Sequence, residues 1–404
     1  MKLLFLTQVL PYPLDAGPKV RAYYTLKHLA QRHAVTLVSF VRGSDTPAAC
    51  AHLQTVCERV LTVPMPRSWR REAAALGSSL LHGTPLLIAR DHVPAMHAAL
   101  ETLVDGTCFD AIHADQLWMA PYALAAQERA ARRGCRPMTL LDQHNAVFLV
   151  PLRMAEAARS PWRRAMLRRE AGLMARYEAR ICLAFDRVVT VTEQDQAALM
   201  SLYPARRPAP PTVIPICVEP GPAPARAKAA AHVLFLGGMH WPPNADGARW
   251  FARAMWPIIH ARWPTAEFWA VGKQPPPELA RPEAAKRGLH APGYAAELEA
   301  HWANARVFVA PLRSGGGMRV KILDAWVRGL PVVSTTVGAE GLAARAGENI
   351  LIADTPAAFA EAVVRVLSDA ALAERLARAG RDTILRHYDW HKTYQLWENV
   401  YDAA

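Results

Sequence analysis

The sequence predicts an α/β protein made of two doubly wound halves, and three observations carry that expectation. A chain of 404 residues is longer than a single hydrophobic core comfortably supports. Short apolar runs alternate with longer helix-patterned stretches, and this strand–loop–helix order starts at Leu3 and again at His232. Between the two starts, residues 204–231 are dense in proline and alanine, a composition suited to a connection. The expected organisation is a first domain over 1–215, a linker over 216–231 and a second domain over 232–387, with a last segment, 388–404, packing back across both. A hydrophobic content of 52% with 20% charged residues excludes a disordered chain.

In the first half, residues 3–6 read as a buried strand. The loop over 11–19 carries Gly17, residues 20–31 read as a helix, and 34–40 as a second strand. Further strands are expected at 60–63, 109–115, 138–141, 187–191 and 213–216. The fifth of these seven ends at Asp142-Gln143-His144-Asn145, and Glu193-Gln194-Asp195 stands where a helix cap is expected. The second half repeats the grammar. Strands are expected at 232–236, 267–271, 289–292, 306–312, 331–335 and 350–352, with helices at 246–263 and 297–304. Long Ala/Leu/Arg helices follow over 356–387, and an aromatic-rich helix over 391–401. In such sheets ligands lie at the carboxyl ends of the strands, here in a cleft between two similar halves.

The stretch with the clearest chemistry is Val309-Ala310-Pro311-Leu312-Arg313-Ser314-Gly315-Gly316-Gly317-Met318-Arg319-Val320-Lys321-Ile322-Leu323-Asp324. A strand runs into three glycines, where backbone approaches a ligand closely, and then into a helix. Free N–H groups and the helix dipole make this an anion site. Arg319 and Lys321 suit a phosphate or diphosphate, and Asp324, about one turn on, suits ribose or sugar hydroxyls.

The formal charge of +12 favours anionic partners, among them nucleotide sugars and acidic lipid surfaces. Nucleic acid is not expected, because no zinc spacing or RNP-like aromatic motif accompanies the charge. Two basic-apolar runs, Arg67-Ser68-Trp69-Arg70-Arg71 and Pro161-Trp162-Arg163-Arg164, suit either an anionic membrane face or two solvated helices. The six cysteines form neither a CxxC pair nor a zinc-spaced cluster, and are read as buried thiols in a reducing compartment. Residues 1–8 suit a first strand better than a signal peptide, and no transmembrane helix is expected. The expected location is cytoplasmic, peripheral on the inner membrane face.

The glycine stretch, with Gly329-Leu330-Pro331-Val332-Val333-Ser334-Thr335 after it, resembles a family 4 (group 1) glycosyltransferase of the GT-B fold. Matches at Pro13, Gly17 and Arg21, at Gly237-Gly238-Met239-His240-Trp241-Pro242-Pro243-Asn244, at Gly338-Ala339-Glu340-Gly341-Leu342 and at Tyr388-Asp389-Trp390 extend the likeness over most of the chain. It is more narrowly similar to a bacterial branch of sugar transferases in exopolysaccharide assembly. The resemblance implies a GT-B α/β fold, two Rossmann-like domains facing a cleft, and a nucleoside diphosphate sugar as donor. Donor binding is expected at Gly17, Gly238, Asn244, Gly315, Gly316, Gly317, Met318, Arg319, Lys321 and Asp324; the family commonly sets an Arg and a Lys after the first strand of the second domain, and their replacement here by Arg319 and Lys321 is read from this sequence and not from the resemblance. Asp324 takes the place of a ribose-binding Glu. The Glu that holds the donor sugar in the family falls on Gly316, which has no side chain. The resemblance also makes His144 the catalytic histidine that meets the donor sugar near its reacting carbon. His113 is a weaker acceptor-side candidate, and Asp115 is either an acceptor-side base or a helix cap.

The expected reaction is transfer of a sugar to an acceptor glycan or lipid-linked sugar with retained anomeric configuration. The helix N-terminus and the two cations would stabilise the departing diphosphate. No cofactor is expected, and no metal, since the chain has no DxD motif. Two alternatives stay open: a sugar-nucleotide epimerase or hydrolase of the same fold, and a non-catalytic nucleotide-sugar-binding protein, to which Gly316 points.

Overall fold

The structure, a computed structural model, describes residues 1–66, 68–156, 158, 160–204, 210–222, 231–295 and 297–402. The chain packs as two compact units. The first is Met1–Cys217 together with the segment from Trp390 onward, and the second is Val218–Asp389.

The first unit holds a parallel sheet of seven strands: β1 (Lys2–Thr7), β2 (Ala34–Val41), β3 (Arg59–Pro64), β4 (Ala111–Asp115), β5 (Met138–Gln143), β6 (Arg187–Thr190) and β7 (Thr212–Val213). Their spatial order is β3-β2-β1-β4-β5-β6-β7. Leu3, Leu4, Phe5 and Leu6 are fully buried, as strands covered by helices on both faces require. The second unit repeats the design with β8 (His232–Leu236), β9 (Glu267–Val271), β10 (Leu289–Gly293), β11 (Ala305–Ala310), β12 (Val332–Ser334) and β13 (Leu351–Ile352). These are ordered β10-β9-β8-β11-β12-β13. In each sheet the order reverses beside the first strand, between β1 and β4 and between β8 and β11. Loops leaving the carboxyl ends there diverge and leave room for a ligand.

Three expectations need correction. Residues 213–216 were expected to form a strand, but β7 is only Thr212–Val213, because Pro215 has no N–H to give to a ladder. The helices expected over 356–387 are present and divide at Asp369, whose carboxylate accepts from the Leu372 amide and starts the helix Ala370–Thr383. The last helix is two short ones, Trp390–Thr393 and Leu396–Tyr401, and Trp390, Tyr394, Trp397 and Tyr401 bury against the first unit. Finally, the cysteines are not all thiols, since Cys108 and Cys135 form a disulfide with Cα atoms 5.7 Å apart. Each stands three residues before a strand, and β4 pairs with β5 in the register Ala111↔Met138, which sets the two opposite each other. Cys50, Cys57, Cys182 and Cys217 are in no disulfide.

Candidate functional site

In the second unit, two loops flank the point where the strand order reverses. The loop after β8 is Gly237-Gly238, followed by the helix Pro242–Trp250, which carries Asn244. The loop after β11 holds Gly315, Gly316 and Gly317 and leads into the helix Val320–Val327, which carries Lys321 and Asp324. Lys321 Nζ donates to Asn244 Oδ1 at 2.8 Å, and Asn244 Nδ2 donates to the Gly238 carbonyl at 3.0 Å. A Cβ on Gly237 would stand 2.6 Å from Lys321 Nζ, so this glycine is what lets the ammonium reach between the two loops. Burial, reinforced by the charge of Arg319, lowers the Lys321 pKa to about 7. A half-buried lysine whose ammonium meets only neutral groups among the described residues, the Asn244 amide and the Phe235 ring at 4.5 Å, is poised to take up an anion.

The Arg319 guanidinium turns back on its own loop. It donates to the Gly316 carbonyl, to the Gly317 carbonyl at 2.6 Å and to the Val337 carbonyl at 3.5 Å. Gly315 sits at φ 126°, and a Cβ there would lie 3.0 Å from the guanidinium. Arg319 and Met318 are both buried, at 8% exposure each. Asp324 makes no side-chain hydrogen bond among the described residues. Burial raises its pKa to about 6, against the opposing charge of Arg328.

A second polar cluster lies in the first unit, at the carboxyl ends of β4 and β5. Arg21, from the helix Gly17–Leu29, forks onto Asp142 with Nε–Oδ2 at 2.9 Å and Nη2–Oδ1 at 3.0 Å, both side chains fully buried. Its remaining nitrogen donates to the Pro215 carbonyl at 2.8 Å and to the Tyr394 hydroxyl at 3.3 Å. His144 Nε2 lies 2.9 Å from Asp115 Oδ1 and 3.6 Å from Asp142 Oδ2, and its Nδ1 lies 2.9 Å from Gln116 Nε2. His113 Nδ1 contacts the Tyr401 hydroxyl at 2.7 Å.

The electrostatics follow from these contacts. Burial works against the Asp142 carboxylate, but Arg21, with help from His144, outweighs it and holds the group well below the usual carboxylate range. Burial would likewise lower His144, yet Asp115 and Asp142 raise it to about 9. Burial raises Asp115, with His144 opposing. Burial also lowers His113 to about 3, so it is neutral at physiological pH. Asp115, Asp142 and His144 bring one ligand atom each within 4.8 Å of one another, as a metal site would. Both oxygens of Asp142 are already taken by Arg21, however, and two anions stand against two cations.

The loop bearing His144 is clamped from behind. Glu178 accepts from the Val147 amide at 2.8 Å and the Phe148 amide at 2.7 Å, and Asp195 accepts from the Ala146 amide at 2.9 Å. Gln116, between Asp115 and the next helix, holds φ 71°, a strained conformation for a residue with a side chain. A polar network that is largely satisfied and carries local strain is a rigid mount for an imidazole.

Residues 230–369 match the family described as glycosyl transferases group 1. That match falls within the second unit. The Anabaena protein HepE, solved with UDP and glucose, resembles the whole chain at a TM-score of 0.69 and 14% identity, covering 100% of both chains. Sucrose-phosphate synthase from Thermosynechococcus elongatus resembles it equally, at 0.69 and 16% identity, again over 100% of both. The two parallel sheets are those of the GT-B fold. A protein of the cps region of Klebsiella pneumoniae, itself uncharacterised, is 26% identical over 170 residues. That match spans 40% of this chain and 44% of the relative.

In the second unit, Gly238, Asn244, Gly315, Gly316, Gly317, Met318, Arg319, Lys321 and Asp324 all lie on the two loops and the helices they open. His113, Asp115 and His144 come together in the first unit. Gly17 opens the helix that carries Arg21, as its first residue. The Asp115 side chain bonds His144 rather than capping a helix, and Thr192, not Glu193, caps the helix Glu193–Met200. Sequence reasoning missed the parts played by Asp142, Gln116, Glu178, Tyr394 and Tyr401. One signal was available. His113 with Asp115, and Asp142 with His144, are spaced two apart at the ends of buried strands, so each pair shares a face. Glu178, mid-helix among arginines, gives no such sign.

Proposed function

We propose that the protein is a family 4 glycosyltransferase moving a sugar from a nucleoside diphosphate sugar to an acceptor hydroxyl, with retention of configuration and without a metal. The observation that carries this reading is the Lys321–Asn244–Gly238 arrangement at the strand-order reversal of the second unit. Lys321 and the amino end of its helix receive the diphosphate, and the charge that develops on the departing oxygen meets a preorganised cation. Arg319 holds the glycine loop in shape, and Asp324 accepts from the ribose. His144, held cationic by Asp115 and Asp142, bears on the reacting sugar.

UDP is the nucleotide favoured, on the strength of the UDP held by the Anabaena neighbour. In a thermal-shift panel of UDP-, GDP-, ADP- and dTDP-sugars, the UDP-sugars are expected to raise the melting temperature most. Saturation at a hundred times Kd stabilises by about 2.7 kcal/mol. A larger shift with another base overturns the UDP assignment, and no shift with any donor overturns the donor site. Gly316, without a side chain for the sugar, favours a second reading, a binder that does not turn over. Donor binding with no transfer to any glycan or lipid-linked acceptor, and no hydrolysis or epimerisation, would establish it.

The cps-region relative supports a place in exopolysaccharide synthesis. Among the described residues no helix is long and apolar enough to cross a membrane. Trp69, Leu81 and Trp162 are nonetheless 76%, 82% and 75% exposed, on the helices Trp69–His82 and Pro161–Cys182. Arg67 lies outside the described residues, as do the side chains of Arg70 and Arg71. We propose a peripheral contact with anionic lipid on the cytoplasmic side. Co-sedimentation with vesicles containing 30% phosphatidylglycerol is expected at low salt and is lost in a Trp69→Ser, Trp162→Ser double variant. Equal sedimentation of parent and variant would remove these helices from the contact.

A further inference from the structure

The first unit contains a cavity of about 640 Å³ that neither polar cluster uses. Its volume is that of a small-molecule site, which runs from about 300 to 1,000 Å³. The helices Trp69–His82, Leu86–Arg90, Ala120–Ala131 and Pro161–Cys182 supply most of its wall. On the first of these, Ala74, Ala75 and Ser78 are small residues on the side that lines the cavity, and they leave the space that larger side chains would fill. The inner wall is Ile88, Tyr122, Tyr177 and Ile181, all buried. The polar tip of Tyr122 is consumed, since its hydroxyl accepts from the Val93 amide and donates to the Asp91 carbonyl, both at 2.7 Å. What it shows the cavity is therefore ring.

The lining changes character toward solvent. His92 and Arg180 are exposed and Arg90 is partly so. Arg180 lies over the Tyr177 ring at 5.5 Å and has no ion-pair partner among the described residues. The carboxylate in the lining, Asp91, is buried and already engaged by Gln8 at 2.5 Å and Arg90 at 3.4 Å. Trp118 adds a buried indole N–H with no partner among the described residues. An apolar interior with a net positive, donor-bearing mouth selects an amphiphile with an anionic head.

We infer that this cavity binds the apolar chain of a phosphate-headed lipid, with Arg180 and Arg90 at the phosphate and the aromatic wall along the chain. The helix Trp69–His82 that forms one wall also carries the exposed Trp69 and Leu81, so the mouth stands beside a surface suited to meet lipid. The inference concerns binding and does not depend on sugar transfer.

Isothermal titration of the full chain with decyl phosphate below its micellar concentration tests it, with decyltrimethylammonium and inorganic phosphate as comparisons. One saturable site is expected for decyl phosphate, at least tenfold tighter than for the cationic probe, and none for phosphate alone. Arg180→Glu, an exposed change, is expected to weaken decyl phosphate at least tenfold and to leave the cationic probe no weaker. Ser78→Phe fills the interior and is expected to weaken both. If Ser78→Phe lowers the melting temperature, Ala74→Leu at the exposed edge replaces it. The proposal is overturned by an absence of saturable binding, by equal affinity for the two heads, or by a folded filling variant with the parent's affinity. Binding to vesicles but not to the monomeric probe also overturns it, in favour of contact with the membrane surface alone.

Discussion

Lys321→Met is expected to bind UDP ten- to a hundredfold more weakly than the parent while keeping the parent's fold. A charge-assisted hydrogen bond is worth about 1.5–3 kcal/mol, which is that range of affinity. Methionine is nearly as long and needs no partner, so Asn244 loses a donor and little else moves. The pH dependence gives a sharper signature. Burial holds the free lysine near a pKa of about 7, and a diphosphate beside it raises that value. Above pH 7, therefore, binding UDP takes up a proton, and affinity falls as pH rises. Titrations in buffers of different ionisation enthalpy measure the uptake directly, and Lys321→Met abolishes it. Unchanged affinity in the variant, or no proton uptake by the parent at pH 8, would remove Lys321 from the diphosphate.

Arg21→Leu is expected to produce the largest loss of stability of any single change in the first unit. It leaves Asp142 ionised, fully buried and without the fork that holds it. Breaking a buried pair from one side costs about 3–5 kcal/mol. For a unit of this size each kcal/mol moves the melting temperature by about 2–4 °C, so a fall on the order of 10 °C is expected. A second change, Asp142→Leu, should recover part of the loss, because two apolar groups leave no stranded charge. A melting temperature within about 2 °C of the parent would show that water or a rearranged cation replaces Arg21. The same cluster sets a pH window. The Asp142 pKa is depressed, so its contribution is present above the ordinary carboxylate range and is lost as the pH falls toward the folded value. The His144 pKa is raised to about 9, so its contribution is complete below about pH 6.5 and is lost as the pH rises through 9. Stability from this network is thus greatest between the two limits, and Asp115→Asn should remove most of the alkaline side.

The two glycine loops of the second unit were readable because their signals are local. Gly315 to Asp324 is one continuous stretch, and a strand, three glycines and a helix start are short-range signals. Asn244 joins it through the strand order alone, since β8 and β11 are neighbours in the sheet. Lys321 was expected on the right element. That its ammonium lies against Asn244, while Arg319 turns to the loop carbonyls, depends on side-chain directions that spacing does not give. Gly237 appeared as a loop glycine, and only the approach of Lys321 shows what its missing Cβ is for.

By itself the sequence determined the two sheets, the glycine loop and the residues that open the helix after it. Each of these is written in periodicity and turn chemistry over ten or so neighbouring residues. The tertiary structure alone decided the first unit's polar cluster. Arg21, His113, Asp115, Asp142, His144, Tyr394 and Tyr401 come from a helix, two strands, a loop and the chain's last helical segment, and Arg21 and Tyr394 stand 373 residues apart yet share a hydrogen bond. It also decided the Cys108–Cys135 disulfide, which only the β4–β5 register brings into reach. The reason is the same in both cases. Burial turns a carboxylate, an imidazole or a guanidinium into a group that needs a partner, and which partner it meets is a property of strand order and register rather than of neighbours along the chain.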